Sequence, residues 1–316
     1  MAKGGAACQQ RKKRAISGKT KTQIMYYLML AVPAIWMFVF SYIPMAGTYL
    51  AFIDYKPAKG IFGSKFVGLA HFKKFFASVD FERIFRNTLL YNVASIVLVS
   101  LFAGMLFAIL LYEIRSRMAT KVFQTCMLLP AFLSWTVVSA ALMLMIHPDN
   151  GMLNKLLSAL GMAEIKWYQE AKYWPYIIVF CMFYKNAGIS SIYFYAALLS
   201  IDPELFSAAK LDGASRLKQI RYITLPALSK VFCITLITNV GSILASGLSP
   251  FYELTLNQGA LYETTQVIGT YLYNGVTAGR FSFSAAVSLV QSLIGLILVL
   301  VTNAVVNKVD PESAMF

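Results

Sequence analysis

The stretch TLLYNVASIVLVSLFAGMLFAILLY, residues 88–112, runs for twenty-five residues without a charged side chain. A hydrocarbon layer of ~30 Å is crossed by about 20 helical residues at a rise of about 1.5 Å each, so this stretch is long enough to span a bilayer. Five further apolar stretches meet the same requirement, near residues 24–48, 123–147, 173–199, 229–251 and 282–306. Lipid offers no partner to a free amide, and no ten-residue segments of alternating polarity occur, so all six are expected to be helices. The expected fold class is an all-α integral membrane protein with six transmembrane helices and both termini on one side.

Composition agrees. Of 316 residues, 58% are hydrophobic and only 13% charged, about half the charged share of a soluble domain, and the mean hydropathy is +0.63. The formal charge of +14 does not point to nucleic acid, because the cations sit between apolar runs rather than in a basic stripe interleaved with exposed aromatics. Residues 1–23 hold seven of the 28 Lys and Arg and no acid, a retention signal for the cytoplasmic side. The first apolar stretch is too long for a cleaved leader and ends without a small-x-small site. Counting cations at the predicted ends gives 16 inside against 11 outside, which places both termini in the cytoplasm. Cys8 falls in the basic tail and Cys126, Cys181 and Cys233 in separate apolar segments; neither a disulfide framework nor a metal spacing is present, and buried thiols are expected.

The expected organisation is a basic cytoplasmic tail at 1–23, a six-helix transmembrane domain at 24–307 and a short cytoplasmic tail at 308–316. In the first outside loop, about 51–87, Phe66, Leu69, Phe72, Phe75 and Phe76 recur with helical spacing around Lys73 and Lys74. This reads as an amphipathic helix, lying either on the outer lipid surface or on the protein's own outer face. Tyr26, Tyr27, Tyr42, Trp167, Tyr168, Tyr173 and Trp174 gather at predicted boundaries, where amphipathic rings anchor a helix in the interface.

The most informative segment is cytoplasmic, about 201–228. Asp202 is placed to cap a helix with Pro203 at its first position, where a missing amide proton costs nothing. Leu205, Ala208 and Ala209 then share one side and Lys210 lies on another, and Asp212-Gly213-Ala214 supplies a turn. A second helical piece, 215–222, leads to Pro226, which is expected to reset the chain before the next crossing. From physics alone this is either a helix pair offered to another protein or an ordinary ordered loop.

The pattern Ala208-Ala209-x-x-Asp212-Gly213-Ala214, nine residues, then Ile223-x-Leu225-Pro226 resembles the EAA motif of ABC-importer permeases. The chain from Tyr42-Ile43-Pro44 through Phe66-Val67-Gly68-Leu69, Leu129-Pro130 and Val267-Ile268-Gly269-Thr270-Tyr271 to Phe281-Ser282-Phe283 resembles the carbohydrate-uptake permeases, and among them the LplB-like polysaccharide subfamily. The resemblance implies a type I ABC importer (MetI-like) permease fold. It implies a coupling loop made of Glu204, Ser207, Ala208, Ala209, Asp212, Gly213 and Ala214 that docks on an ATPase. Ser207 stands where the family has glutamate, with Glu204 one turn earlier, so the contact rests on helix shape or on Glu204. After Gly247 this chain has Leu248-Ser249-Pro250 where the subfamily has Phe-Glu. The implied partners are a second homologous permease subunit in a heterodimer, two ATPase subunits that bind ATP and Mg, an extracytoplasmic solute-binding lipoprotein, and an oligosaccharide substrate. No cofactor is implied in this chain itself, nor any nucleic acid; membrane lipid surrounds it.

A sugar path needs hydrogen-bonding groups within apolar helices. Lys185, Asn186 and Ile189 on the fourth helix, and Asn239, Ser242 and Ser246 at i, i+3 and i+7 on the fifth, are the candidates. Asn239 is expected ~15 Å deep, near mid-bilayer. A charged Lys185 in mid-span costs ~3 kcal/mol or more on a lipid face. It is expected to point inward, either to sugar or to a carbonyl or acid that fixes packing, while the polar groups of the fifth helix also suit helix-to-helix bonds. Tyr184 and Trp135 are platforms for a pyranose ring or plain packing. His71 and His147 are too far apart in the topology for a metal pair, and no catalytic constellation is present. No GxxxxGKS or GxxxxGKT phosphate loop occurs. An ion-coupled secondary transporter is the alternative, weakened by spans almost without Asp or Glu and by the lack of an inverted repeat.

Overall fold

The computed structural model describes residues 18–241, 243–244 and 247–309. The chain divides into two compact units, residues 1–49 and 50–316. In the first, a helix opens at Gly18–Met37 and continues through a wider π turn, Phe38–Tyr42. From Met25 the apolar path extends to Phe52, and the described side chains from Met25 to Tyr42 are nearly all exposed. A helix apolar on every side has lipid as its natural solvent. The expected tail residues 1–17, including Cys8, and 310–316 lie outside the described residues.

The second unit holds four more helices long and apolar enough to cross, Val79–Glu113, Ala171–Leu199, Arg216–Gly241 and Phe281–Lys308. A sixth crossing is made by a bent pair, Arg117–Phe132 and Trp135–Ile146, which meet at 94°. The expected single helix over 123–147 is therefore broken. Pro130 removes an amide proton one turn from the end, and Ser134 caps a new helix by accepting from the Val137 amide at 3.2 Å.

Two other expectations need correction. The second helix starts at Val79, nine residues before the apolar run; Asp80 and Glu82 in its first turn suit the positive end of the helix dipole. The fifth helix does not restart at Pro226. It runs from Arg216 to Gly241, with a π turn at Ile220–Thr224 just before the proline. A widened turn there relieves the clash that the Pro226 ring makes with the carbonyl four residues back. The helix then stops at Gly241, well short of 251, and a separate helix forms at Leu248–Thr255.

The fourth span is the central element. Its Trp174, Ile178 and Cys181 share one buried cluster with Tyr91, Phe251 and Leu254, and its Phe194 and Leu198 share another with Ala108 and Leu228. Small residues permit this closeness. A Cβ on Gly188 would overlap the Met127 carbonyl, and one on Gly104 would lie 3.0 Å from Ser190 Cβ.

Between the first and second spans, Ile53–Asp54 pairs antiparallel with Lys65–Phe66, and the amphipathic helix is the short Ala70–Phe76. It lies on the protein's own surface, because buried Phe75 packs on Phe81, Tyr271 and Phe283. Tyr168 and Trp174 are likewise core residues rather than interfacial anchors: both are buried and their rings sit 5.2 Å apart. Burial pushes the Tyr168 phenol up to about 12. Asn154 organises this loop, accepting from the Trp167 indole at 2.9 Å and donating to the carbonyls of Pro148 and Ile165.

Candidate functional site

The segment after the fourth span folds as its residue types require. The Asp202 carboxylate accepts from the Glu204 amide at 2.9 Å and starts the helix Pro203–Leu211. The helix ends in a Schellman turn: Gly213 takes φ +74°, its amide donates to the Lys210 carbonyl, and the Ala214 amide donates to the Ala209 carbonyl at 2.9 Å. Glycine is needed at that one position, because the left-handed conformation crowds any Cβ. Ser207 donates to the Pro203 carbonyl at 3.2 Å. Two contacts tie this loop to the end of the second span: Phe206 packs on Tyr112 with centroids 5.8 Å apart, and Arg216 pairs with Glu113 at 3.4 Å. Glu204, Ser207, Ala208, Asp212 and Gly213 remain exposed, while Ala209 and Ala214 are half-buried. Leu205 is exposed and Leu211 is 90% exposed. Large apolar side chains left outside the membrane core on a rigid helix mark a surface made for contact.

The substrate-path candidates do not form one face. Lys185 is buried, and its ammonium donates to the carbonyls of Ala131 at 2.8 Å, Pro130 at 3.5 Å and Leu133. It also lies 5.6 Å from the centroid of Trp135. All four partners flank the 94° bend, where the cation supplies donors to the Ala131 and Leu133 carbonyls and shares the Pro130 carbonyl with the Leu133 amide. Asn186 is half-buried, and Ile189 and Tyr184 are exposed. Asn239 is half-buried and donates to the Thr235 carbonyl at 2.7 Å. It sits two residues before the described helix ends at Gly241. Ser242 and Ser246 lie outside the described residues. The break follows a close crossing, since a Cβ on Gly241 would press on Val299 at 2.6 Å.

One group of residues escaped the sequence reading. The irregular chain between Leu248–Thr255 and Ile268–Thr277 is held by side chains of other helices. Ser139 donates to the Glu253 carbonyl at 2.6 Å, and Asn87 donates to the carbonyls of Glu263 and Gln266 at 3.1 and 3.2 Å. Tyr91 donates to the Thr264 carbonyl, while Thr88 accepts from the Ile268 amide, each at 2.9 Å. The available signal was the presence of Asn87 and Thr88 at the head of an apolar run. Nearby, an open basin of about 450 Å³ is lined by Asp54, His71, Lys74, Asp80, Tyr271 and Arg280, a mixed polar surface. Among the described residues no group of three His, Cys, Asp or Glu could hold a metal, and Cys126, Cys181 and Cys233 form no disulfide; Cys126 is exposed rather than buried.

With this geometry, the family of "Binding-protein-dependent transport system inner membrane component" proteins matches residues 100–313, a range that contains the loop 202–215 and four of the crossings. The chain is similar to Protein LplB of Bacillus subtilis (strain 168), at 36% identity over 290 residues covering 90% of this chain and 89% of that protein. It is similar to the polygalacturonan/rhamnogalacturonan transport system permease protein YteP of the same organism, at 34% identity covering 96% and 94%. Its structure resembles a chain of a bacterial alginate ABC transporter in complex with an alginate pentasaccharide-bound periplasmic protein, with a TM-score of 0.83, 30% identity and coverage of 92% and 96%. A six-crossing helical body, an exposed capped loop between the fourth and fifth crossings, and a family match over most of the chain agree: this protein belongs to the membrane-spanning permease components of binding-protein-dependent ABC importers, and it is a non-catalytic transport subunit.

Proposed function

We propose that this permease imports an oligosaccharide or a polysaccharide fragment. It is loaded by an extracytoplasmic solute-binding protein and driven by two ATPase subunits that dock on the loop 203–214. A second homologous permease completes the membrane pore, and both termini of this chain face the cytoplasm. The observation that carries the reading is the rigid, capped helix Pro203–Leu211 with its exposed apolar side chains. It is fastened to the second span by Phe206 and Arg216, so a push on it moves that span. A motor can only shift the balance of two arrangements through contacts that differ between them, and a loop tied to one span and pressed by another protein provides such a contact. The relatives above are named for polygalacturonan, rhamnogalacturonan and alginate, which are acidic polysaccharides.

Within the membrane, Asn186, Ile189 and Asn239 line the path, with Ser242 and Ser246 beyond the stop at Gly241, while Lys185 holds the wall by bracing the bent third span. The test is co-purification of the complex in mild detergent with analysis of its subunits, combined with thiol labelling of Asp212→Cys in a chain whose four native cysteines are replaced. The expected result is an ATP-hydrolysing partner whose turnover rises with sugar-loaded binding protein, and labelling from the cytoplasmic side only. Labelling of intact cells by an impermeant reagent, or a complex without an ATPase, overturns the reading.

A further inference from the structure

A second cavity, of about 560 Å³ and mostly apolar in its lining, opens where the second and fourth spans end and the third begins. Three cations form its rim: Arg115 in the connecting turn, and Arg117 and Lys121 in the first turns of the helix Arg117–Phe132. Its floor is apolar, made by Ile192, Tyr195 and Leu199 in the last two turns of the fourth span. None of the three cations has an ion pair among the described residues; Glu113, the nearest acid in sequence, is engaged by Arg216 at 3.4 Å. Arg115, Arg117 and Lys121 are all exposed, so the charge is presented rather than buried.

The lining comes from the ends of the second and fourth spans and the start of the third, and cations at span ends belong at headgroup depth while apolar residues within a span belong beside acyl chains. A phosphate group gains from three unpaired cations and from the amides at the start of a sixteen-residue helix. A free phosphate would not need the apolar floor, whereas a phospholipid would use both halves. We propose that the rim Arg115, Arg117 and Lys121 with the floor Ile192, Tyr195 and Leu199 is a binding site for an anionic phospholipid, its phosphodiester on the cations and an acyl chain along the fourth span. The site adjoins the helix pair that carries Phe206 and Arg216, so an occupied pocket stiffens the base of the coupling loop. This assignment is independent of which sugar is carried and of which side the termini face.

The full chain in its native complex, reconstituted in phosphatidylcholine nanodiscs doped with phosphatidylglycerol, tests it by native mass spectrometry of the retained lipid. The wild type is expected to retain phosphatidylglycerol over phosphatidylcholine. Removal of each cation is expected to weaken retention about fivefold, so that Arg117→Gln with Lys121→Gln gives about a thirtyfold loss, while Arg117→Lys keeps it. Equal retention by wild type and double variant overturns the proposal. So does inorganic phosphate that binds the detergent-solubilised complex as tightly as the lipid does, since the floor would then play no part. A photoreactive phosphatidylglycerol checks the wild type without any variant: cross-links are expected at residues 192–199, and cross-links mapping elsewhere refute the site.

Discussion

Two stretches of irregular chain do opposite things with their backbone. The loop from Asp202 to Ser215 satisfies itself: an aspartate caps one end, a Schellman turn closes the other, and no bond reaches beyond a few residues except those from Phe206 and Arg216 to the second span. The chain from Glu253 to Ile268 instead borrows its partners, from Asn87, Thr88 and Tyr91 on the second span and Ser139 on the third. It also carries two consecutive left-handed residues, Leu256 at φ +52° and Asn257 at φ +50°. Asn257 is held there by mutual bonds with Asn274 and Tyr262. A self-contained loop can move as one piece when pushed. A segment stitched to three helices is a fixed wall.

The largest expected effect comes from cutting a stitch. Asn87 is buried and donates to the carbonyl of buried Gln266 and to that of exposed Glu263. In Asn87→Leu the Gln266 carbonyl loses its donor in a buried place, at about 1–3 kcal/mol, and the Glu263 carbonyl loses a partly buried bond worth less. The apparent melting temperature of the purified complex should fall clearly, and the loss should extend to assembly. An unchanged melting curve would mean that the segment is held by something other than these bonds, and the contrast between the two regions would disappear.

That contrast also explains what was legible in the sequence. Periodicity and length find a span because lipid imposes one requirement on every residue of it, and Ala171–Leu199 and Phe281–Lys308 were read almost to the residue. Asp202, Pro203 and Gly213 were equally readable, because caps and left-handed turns are set by residues a few positions apart. The bend after Phe132 and the stop at Gly241 were not. Pro130 and Gly241 do not by themselves announce a bend or a stop, and what packs against them is distant: Lys185 arrives 54 residues later to take the Ala131 carbonyl, and Val299 of the last span lies so near Gly241 that a Cβ there would stand at 2.6 Å. Lys185 illustrates the limit well. Its charge in mid-span showed that it must have a partner, while only the fold reveals that the partner is a broken helix end.

An intermediate effect is expected at Gly213, and it should differ in kind. Valine at φ +74° strains the turn by ~1–2 kcal/mol, but the strain is confined to an exposed loop that the six crossings do not need for packing. Gly213→Val should therefore leave the melting curve of the complex close to wild type while sugar-loaded binding protein no longer raises ATP turnover. Coupled turnover at the wild-type level would show that the turn does not seat the loop on its motor. Collapse of the melting temperature would show that the loop is part of the fixed wall after all.

The smallest effect belongs to Asp202. Its carboxylate satisfies the Glu204 amide at the exposed start of the helix, and removal of such a cap costs about 1 kcal/mol. Because water reaches that amide, Asp202→Ala should not unfold the helix. It should raise the fraction of time the first turn is open, and amide exchange over residues 203–206 should quicken by about fivefold, the factor that ~1 kcal/mol implies. Asn caps as well as Asp, so Asp202→Asn should restore slow exchange although it removes the charge. If both variants exchange alike, the carboxylate acts through its charge on the ATPase and not as a cap. The loop would then depend on a distant partner, as the outer segment does, and the distinction between a self-contained lever and a stitched wall would have to be redrawn at its first residue.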